Sequence, residues 1–536
     1  MGKQKLQYKK PLPNPKEEQS GSQDKRTWKL MQILLNGYLL FLGLVLPLYI
    51  PDHYQAIGYD KFILWRTVSV FVLACTGILY LSLLFQRNPD QELLDPWSRK
   101  NSVTDWAMLA YGAVITVSFV FAHDHEEALW GTFGWQMGWL TQMIILVFYF
   151  LYSRLFRWNT RSIFMLASGF FPVMLIQLIQ RCGLIAFDNY LNEEICVSTI
   201  GNINWYCGYQ AVMVSVLIGL FVLEDAFEKK RVCLYGLLCF FGLFSLILNG
   251  SNAVYLYLLA VSGTLLLLGL CFRQLLVRFF VLLAEFSLLA WIMNLLWILS
   301  PDLYRRFTVY EDNCIGFFAR NHIGLFLAAA SIFLILFLKK RTDDKPGILS
   351  LNTAGNLLGG ILGLAVVALL CVQMTGIPYL PDRWGNKRGA LWRFSRRVFL
   401  EFPFFRKLIG AGPDCYFTWY FSNWDYVDYI DKLSPGWMYA NAHSEYLTVL
   451  INTGVFGLLS TMAVYFTSFF HAVHHLENQS VFIRKRSLIT ILSIAGTLAV
   501  LTVSFETLVL MPYLFLVFAC EQEVSAENET EQEHGS

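Results

Sequence analysis

The chain has 536 residues and a net charge of only +2, with 56% hydrophobic and 15% charged residues, against about 25% charged in an average soluble domain. A water-soluble chain of this size would divide its apolar content among several cores joined by polar linkers, and no such linker interrupts residues 30–375. A soluble multidomain enzyme is thereby excluded, and so is a disordered or collagen-like chain, because Leu, Phe and Trp abound and the 37 Gly carry no period.

Residues 1–30 are polar, Pro-containing and rich in Lys, which predicts a disordered cytoplasmic arm and not a removed leader, since no cleavage site follows the first apolar run. A bilayer core about 30 Å thick asks for about 20 apolar residues per helix. Across residues 31–374 eleven such runs fall near 31–50, 62–86, 105–122, 138–153, 162–179, 204–223, 232–249, 253–271, 279–299, 318–338 and 354–374. After a polar stretch at 375–448, residues 449–520 hold three more, near 449–470, 487–504 and 507–520, the last two divided only by a tight turn at Ser504, Phe505 and Glu506. Residues 521–536 form an acidic tail. The predicted fold class is all-α: a polytopic transmembrane helix bundle of about fourteen spans, since barrel strands would be about 10 residues long and alternating.

Cations in short loops mark the cytoplasmic side. Starting from the Lys-rich N-terminus inside, the loops with Arg87, Arg99 and Lys100, with Arg154, Arg157 and Arg161, and with Lys229, Lys230 and Arg231 all fall inside. So do Arg273 with Arg278, Lys339 to Arg341, Arg484 to Arg486 and the acidic tail. Outer loops are acidic or neutral. The eleven Cys carry little signal: Cys182 and Cys196 share one outer loop and are placed to pair, and no motif with metal-ligand spacing is found, so no metal and no cofactor are expected. The Asn-Gly-Ser at Asn249 is a formal glycosylation sequon that matters only in a eukaryotic secretory pathway.

The outer segment 375–448 breaks the charge rule. Between Arg383 and Lys407 it holds Arg383, Lys387, Arg388, Arg393, Arg396, Arg397, Arg406 and Lys407 against Glu401 alone. It is too long for a simple connector, and its cations suit an anion arriving at the outer surface, because a guanidinium presents a fork to phosphate oxygens. Residues 389–402 predict an amphipathic helix ending before Pro403, with Leu391, Phe394, Val398 and Phe402 on one face and Arg393, Arg396 and Arg397 on the other. Those arginines fit either an anion site or an interfacial helix reaching lipid phosphate. The segment closes with Asn441-Ala442-His443-Ser444-Glu445-Tyr446-Leu447 running into the next span. Asn441 or Ser444 can cap that helix, and a helix start disfavours imidazolium, so His443 is placed to accept a proton.

The run Lys387-Arg388-Gly389-Ala390-Leu391-Trp392, then Phe402-Pro403, Gly410-Ala411-Gly412-Pro413-Asp414, His443-Ser444-Glu445-Tyr446-Leu447 and Thr453-Gly454-Val455-Phe456-Gly457-Leu458-Leu459 resembles the extracytoplasmic loop and following span of the O-antigen ligase and O-antigen polymerase superfamily. Gly201-Asn202-Ile203-Asn204 and Ala128-Leu129-Trp130-Gly131 look similar too. The chain departs from the family in having Ser444 after the His, and in offering Arg320, at the opening of the tenth span, for the cation of an earlier helix. The resemblance implies a GT-C-like bacterial cytoplasmic-membrane glycosyltransferase with N- and C-termini inside, taking an undecaprenyl-diphosphate-linked glycan donor to a glycan, lipid or protein acceptor among membrane lipid. It implies neither nucleotide sugar, metal nor nucleic acid, and an inverting attack. In that reading His443 is the general base and Arg388 acts with it on the leaving group. Arg320, Arg393, Arg396 and Arg397 hold the diphosphate, Glu445 and Tyr446 position the acceptor, and Trp419, Tyr420, Trp424 and Tyr426 offer stacking faces. Glu445 reads equally as a capping-box residue, and those aromatics equally as an interface belt. Ligase and polymerase are not separated, and a polytopic secondary transporter or precursor exporter is the alternative, disfavoured by the scarcity of ionisable residues at span centres.

Overall fold

A computed structural model describes residues 15–85, 100–184, 197–308, 314–340, 347–433, 435–436 and 438–522. Every described regular element is helical; the predicted apolar runs fall on helices, those near 162–179, 318–338 and 449–470 each divided between two, and the run near 507–520 is helical only from Met511. Among the described residues ten helices are long and apolar enough to cross a membrane. Trp139–Arg154 with 16 residues and Ala253–Gly269 with 17 are slightly shorter, while Val481–Leu501 has 21 but opens with Arg484, Lys485 and Arg486. The chain is thus a polytopic helical membrane protein.

Boundaries follow local chemistry. The Ser102 hydroxyl accepts from Asp105 N at 3.0 Å while Asp105 Oδ2 accepts from Ser102 N at 2.9 Å, closing a capping box ahead of Val103–Val120. Asn159 and Asn202 cap the Thr160–Ala167 and Ile203–Val222 helices with their side-chain oxygens. Packing sorts the helices: Ile203–Val222 is enclosed on every side, whereas Ile323–Lys340 is nearly bare, with Phe326, Phe333 and Leu336 exposed. An apolar wall of that kind is stable only against lipid. Loops that the charge rule assigns to one side do gather, since Glu224 meets Lys485 at 2.5 Å and Arg231 at 3.9 Å and its carbonyl accepts from Gln274.

Three expectations change. Residues 15–30 are helical, continuous with the first span, because Glu, Gln and Lys extend a helix readily once Pro15 opens it; residues 1–14 lie outside the described residues, as do Cys196 and the tail from 523. The turn between the last two runs is not confined to three residues: residues 502–510 are irregular and the final helix, Met511–Glu521, has only 11 residues, about 16 Å. Irregular backbone at that depth needs enclosure by protein, and Phe505, Leu508, Val509 and Leu510 are buried. Asn249 is buried, its amide donating to Gln210 Oε1 at 2.7 Å, so the sequon is inaccessible.

Candidate active site

The polar segment leaves the Leu351–Thr375 helix at Gly376, whose φ of +74° ends it with a left-handed cap. A helix follows over Trp384–Glu401, with Gly385, Asn386 and Lys387 at φ of 58°, 57° and 70°, so its regular part starts at Arg388. Leu391, Phe394, Val398 and Phe402 are buried, as the amphipathic pattern predicts. Phe394 packs against Tyr420, Tyr426 and Tyr429, and Trp419 against Phe402 and His123. Of the four aromatics read as stacking faces, Tyr420 and Tyr426 are therefore core, and Trp424 is the one left open, at 84% exposure.

The Gly-x-Gly run gains a physical reason. The twelfth span is broken between Glu445–Asn452 and Gly454–His475, which strands the carbonyls of the first piece. Ala411 N donates to Ile451 O and Gly412 N to Asn452 O, both at 2.8 Å. The two backbones come so close that a Cβ at Gly410 would lie 2.3 Å from Asn452, and one at Gly454, where φ is +70°, 2.4 Å from Leu408. Glycine is required on both sides because the recognition is backbone to backbone.

That docking fixes Asp414, whose Oδ2 accepts from Thr132 N at 2.9 Å and Met137 N at 3.0 Å. The Ala128–Gly131 motif opens this outer turn. Burial lifts the Asp414 carboxyl to about 8 despite those donors, with Glu127, itself raised to about 7, nearby.

His443 follows in the left-handed region at φ +47°, a cost borne because Asn441 Oδ1 accepts from His443 N at 3.0 Å and holds the turn. The ring lies between Tyr439 and Phe505, with centroids 6.1 and 5.3 Å away. It is half-buried, yet Nδ1 is enclosed with no hydrogen-bond partner among the described residues. Burial and the Arg388 cation together push it down to about 3, so the imidazole is neutral. Arg388 donates through Nε to Val503 O at 3.0 Å, through Nη1 to Gly385 O at 2.6 Å and through Nη2 to Asn204 Oδ1 at 3.4 Å. These partners are neutral, and among the described residues no carboxylate offsets the guanidinium, whose pKa burial lowers. Sequence reasoning pairs Arg388 with His443; in the structure the Arg388 charge acts on the His443 ring, and Asn204 of the Gly201–Asn204 motif meets Arg388.

The other predicted cations go elsewhere. Arg393 pairs with Asp382, donates to Leu380 O and lies over Tyr379 at 4.9 Å. Arg396 donates to Thr375 O at 2.8 Å, and Arg397 pairs with Glu401 at 2.9 Å on the exposed face. None of the three meets Arg388. The backbone of Arg320 ends the Cys314–Arg320 helix, while its side chain lies outside the described residues. Tyr446 is a packing residue, its hydroxyl donating to Leu498 O at 2.8 Å. Glu445 is not a capping-box partner: Ser444 Oγ accepts from Gln373 at 2.8 Å instead of capping, and Glu445 Oε2 accepts from Glu506 N at 2.8 Å.

Glu506 is the residue that sequence reasoning missed. Glu445 and Glu506 line a pocket shared with Trp135, Asp414, Asn441 and Phe505. Tyr465 donates to Glu506 Oε1 at 3.2 Å. The contact through Glu506 N brings the two carboxyl groups into one shared space. Phe505 forms the wall between this acidic chamber and His443. The chamber suits neutral hydroxyl-bearing groups, since carboxyls accept from hydroxyls and aromatic faces stack on sugar rings, while the Arg388 side suits an anion.

A helical bundle crossing a membrane, with a cationic loop folded against a broken span, defines the class: a multi-pass membrane protein with a site at one end. Residues 313–462 match the family model described as O-antigen ligase. The matched stretch runs from the entry of the tenth span through the loop and His443 into the twelfth span, and Asn204, Glu127 and Glu506 lie outside it. No curated protein matches the chain.

Proposed function

We propose that the protein transfers or polymerises an undecaprenyl-diphosphate-linked glycan onto an acceptor hydroxyl at the outer face of a bacterial cytoplasmic membrane. The observation that carries this reading is a half-buried, unneutralised Arg388 acting on a neutral His443 within the stretch that matches the O-antigen ligase family model. The acceptor hydroxyl attacks the anomeric carbon as the bond to the diphosphate oxygen breaks. His443 takes the hydroxyl proton, and Arg388 stabilises the charge left on the lipid diphosphate. Displacement from the opposite face inverts the anomeric centre. The two roles are coupled: an anion at Arg388 cancels the cation that depresses His443, so the base strengthens when donor is bound. The acidic chamber behind Phe505 takes the acceptor sugar, with Glu445 and Glu506 accepting from its hydroxyls.

Broken spans around buried carboxylates also occur in transporters, so Glu445 and Glu506 favour export of a lipid-linked precursor as a second reading. Proteoliposomes given a labelled lipid-diphosphate oligosaccharide and an acceptor separate the two. Transfer cleaves the glycan from its diphosphate, and His443→Ala should abolish that cleavage while the protein still inserts. Full product from His443→Ala removes the general base, and movement of intact donor without cleavage favours export.

A further inference from the structure

At the end of the bundle away from the loop, His471 and His475 lie one turn apart on the last turns of Gly454–His475, so both imidazoles leave the same face. The returning chain brings Glu521, the last residue of Met511–Glu521, against them. Glu521 Oε1 lies 2.9 Å from His475 Nδ1 and 3.6 Å from His471 Nδ1, and the two rings are 4.2 Å apart. Ligands held about 2.0–2.1 Å from a tetrahedral zinc ion stand roughly 3.3–3.4 Å from one another, and the two oxygen-to-nitrogen separations bracket that spacing.

The surroundings fit a metal centre. The Glu521 side chain is fully enclosed while those of His471 and His475 are 28% and 24% exposed, so the ligand set is closed toward the protein and open toward water, leaving a fourth position. Ser487 donates to both Glu521 oxygens at 3.0 Å, and Arg486 Nε lies 4.0 Å from Oε2. Such contacts orient a ligating carboxylate and leave Oε1 turned to the imidazoles. Gln522 Nε2 bonds His471 Nδ1 at 3.1 Å, one contact that coordination would replace. Two imidazoles and one carboxylate suit zinc or a similar transition-metal ion and not magnesium or calcium, which demand oxygen shells.

We propose that His471, His475 and Glu521 bind a divalent transition-metal ion, zinc by ligand chemistry, which clamps the short last helix to the spans on either side. The site lies a full span, about 30 Å, from the loop end and stands independently of the transfer reaction.

Full-length protein in detergent, stripped with a chelator and titrated with Co2+, should develop the visible absorption of a tetrahedral cobalt site at about one ion per chain, and Zn2+ should displace it. His471→Ala and His475→Ala should each weaken uptake at least about tenfold. Zn2+ should raise the thermal midpoint of the wild type but not of the double variant. Both histidines sit at the water's edge, so these variants keep their fold even if Glu521→Gln does not. Absence of the cobalt band, or equal binding by wild type and double variant, overturns the site and leaves the three residues as a hydrogen-bonded knot.

Discussion

The two ends of the bundle treat buried charge in opposite ways. Away from the loop each buried carboxylate faces a cation or an imidazole: Glu224 meets Lys485 at 2.5 Å, and Glu521 meets His475 and Arg486. At the loop end Arg388 is held by neutral oxygens, His443 is depressed, and Glu445 and Glu506 face one another. Paired charges fix helices together, whereas unpaired ones hold electrostatic energy that only a ligand can relieve. The contrast distinguishes an end built for cohesion from an end built for chemistry.

The largest effects should come from the unpaired end. His443→Ala should lower transfer by roughly 10²–10⁴-fold and Arg388→Ala by about 10²–10³-fold, each with normal membrane insertion. Arg388→Lys should recover little, because a point charge does not reproduce the fork that spans Val503, Gly385 and Asn204. At the paired end the order reverses. Glu224→Gln leaves Lys485 buried and unmatched, which costs about 3–5 kcal/mol of stability, while the surviving folded protein keeps its turnover. A stable, inactive Glu224→Gln would break the comparison.

Much of this was legible in the chain, for definable reasons. Hydrophobic runs located the long apolar helices, though not the breaks within three of them, and period 3.6 placed Leu391, Phe394, Val398 and Phe402 on the buried face. Arg388 and His443 stood out through motif and charge. Glu506 did not, because its meaning depends on Glu445 sixty-one residues earlier, and a lone acid between two apolar runs reads as a turn. Arg393, Arg396 and Arg397 looked equivalent to Arg388 in sequence, yet the left-handed kink at Gly385, Asn386 and Lys387 and the local partners Asp382, Thr375 and Glu401 decide which cation reaches the site. His471 and His475 gave no recognised metal spacing, since their third partner arrives 46 residues later.

Glu506→Gln sharpens the contrast at moderate size. Removing one of two buried like charges relieves repulsion, so the variant should be at least as stable as the wild type. If the chamber binds the acceptor, its KM for acceptor should rise about tenfold with kcat little changed. The pH profile adds a check with a defined sign. A base pushed down to about 3 in the free protein is unprotonated throughout pH 5–8, so kcat/KM should lack an acid limb near the ordinary histidine value. A limb near 6.5 that vanishes in His443→Gln would mean that the imidazole is more solvated than its enclosure implies.

The smallest effect belongs to Arg397. It shares the loop helix with Arg388 and carries the same charge, so a site that worked by general positive potential would suffer equally from losing either. Arg397, however, lies on the exposed face beside Glu401, where an ion pair is screened and contributes little. Arg397→Ala should therefore change transfer by no more than about twofold at moderate salt, against the hundredfold expected for Arg388. Comparable losses from the two variants would mean that the loop attracts the donor through its summed field, and that the half-buried, unneutralised position of Arg388 has no special part in the reaction.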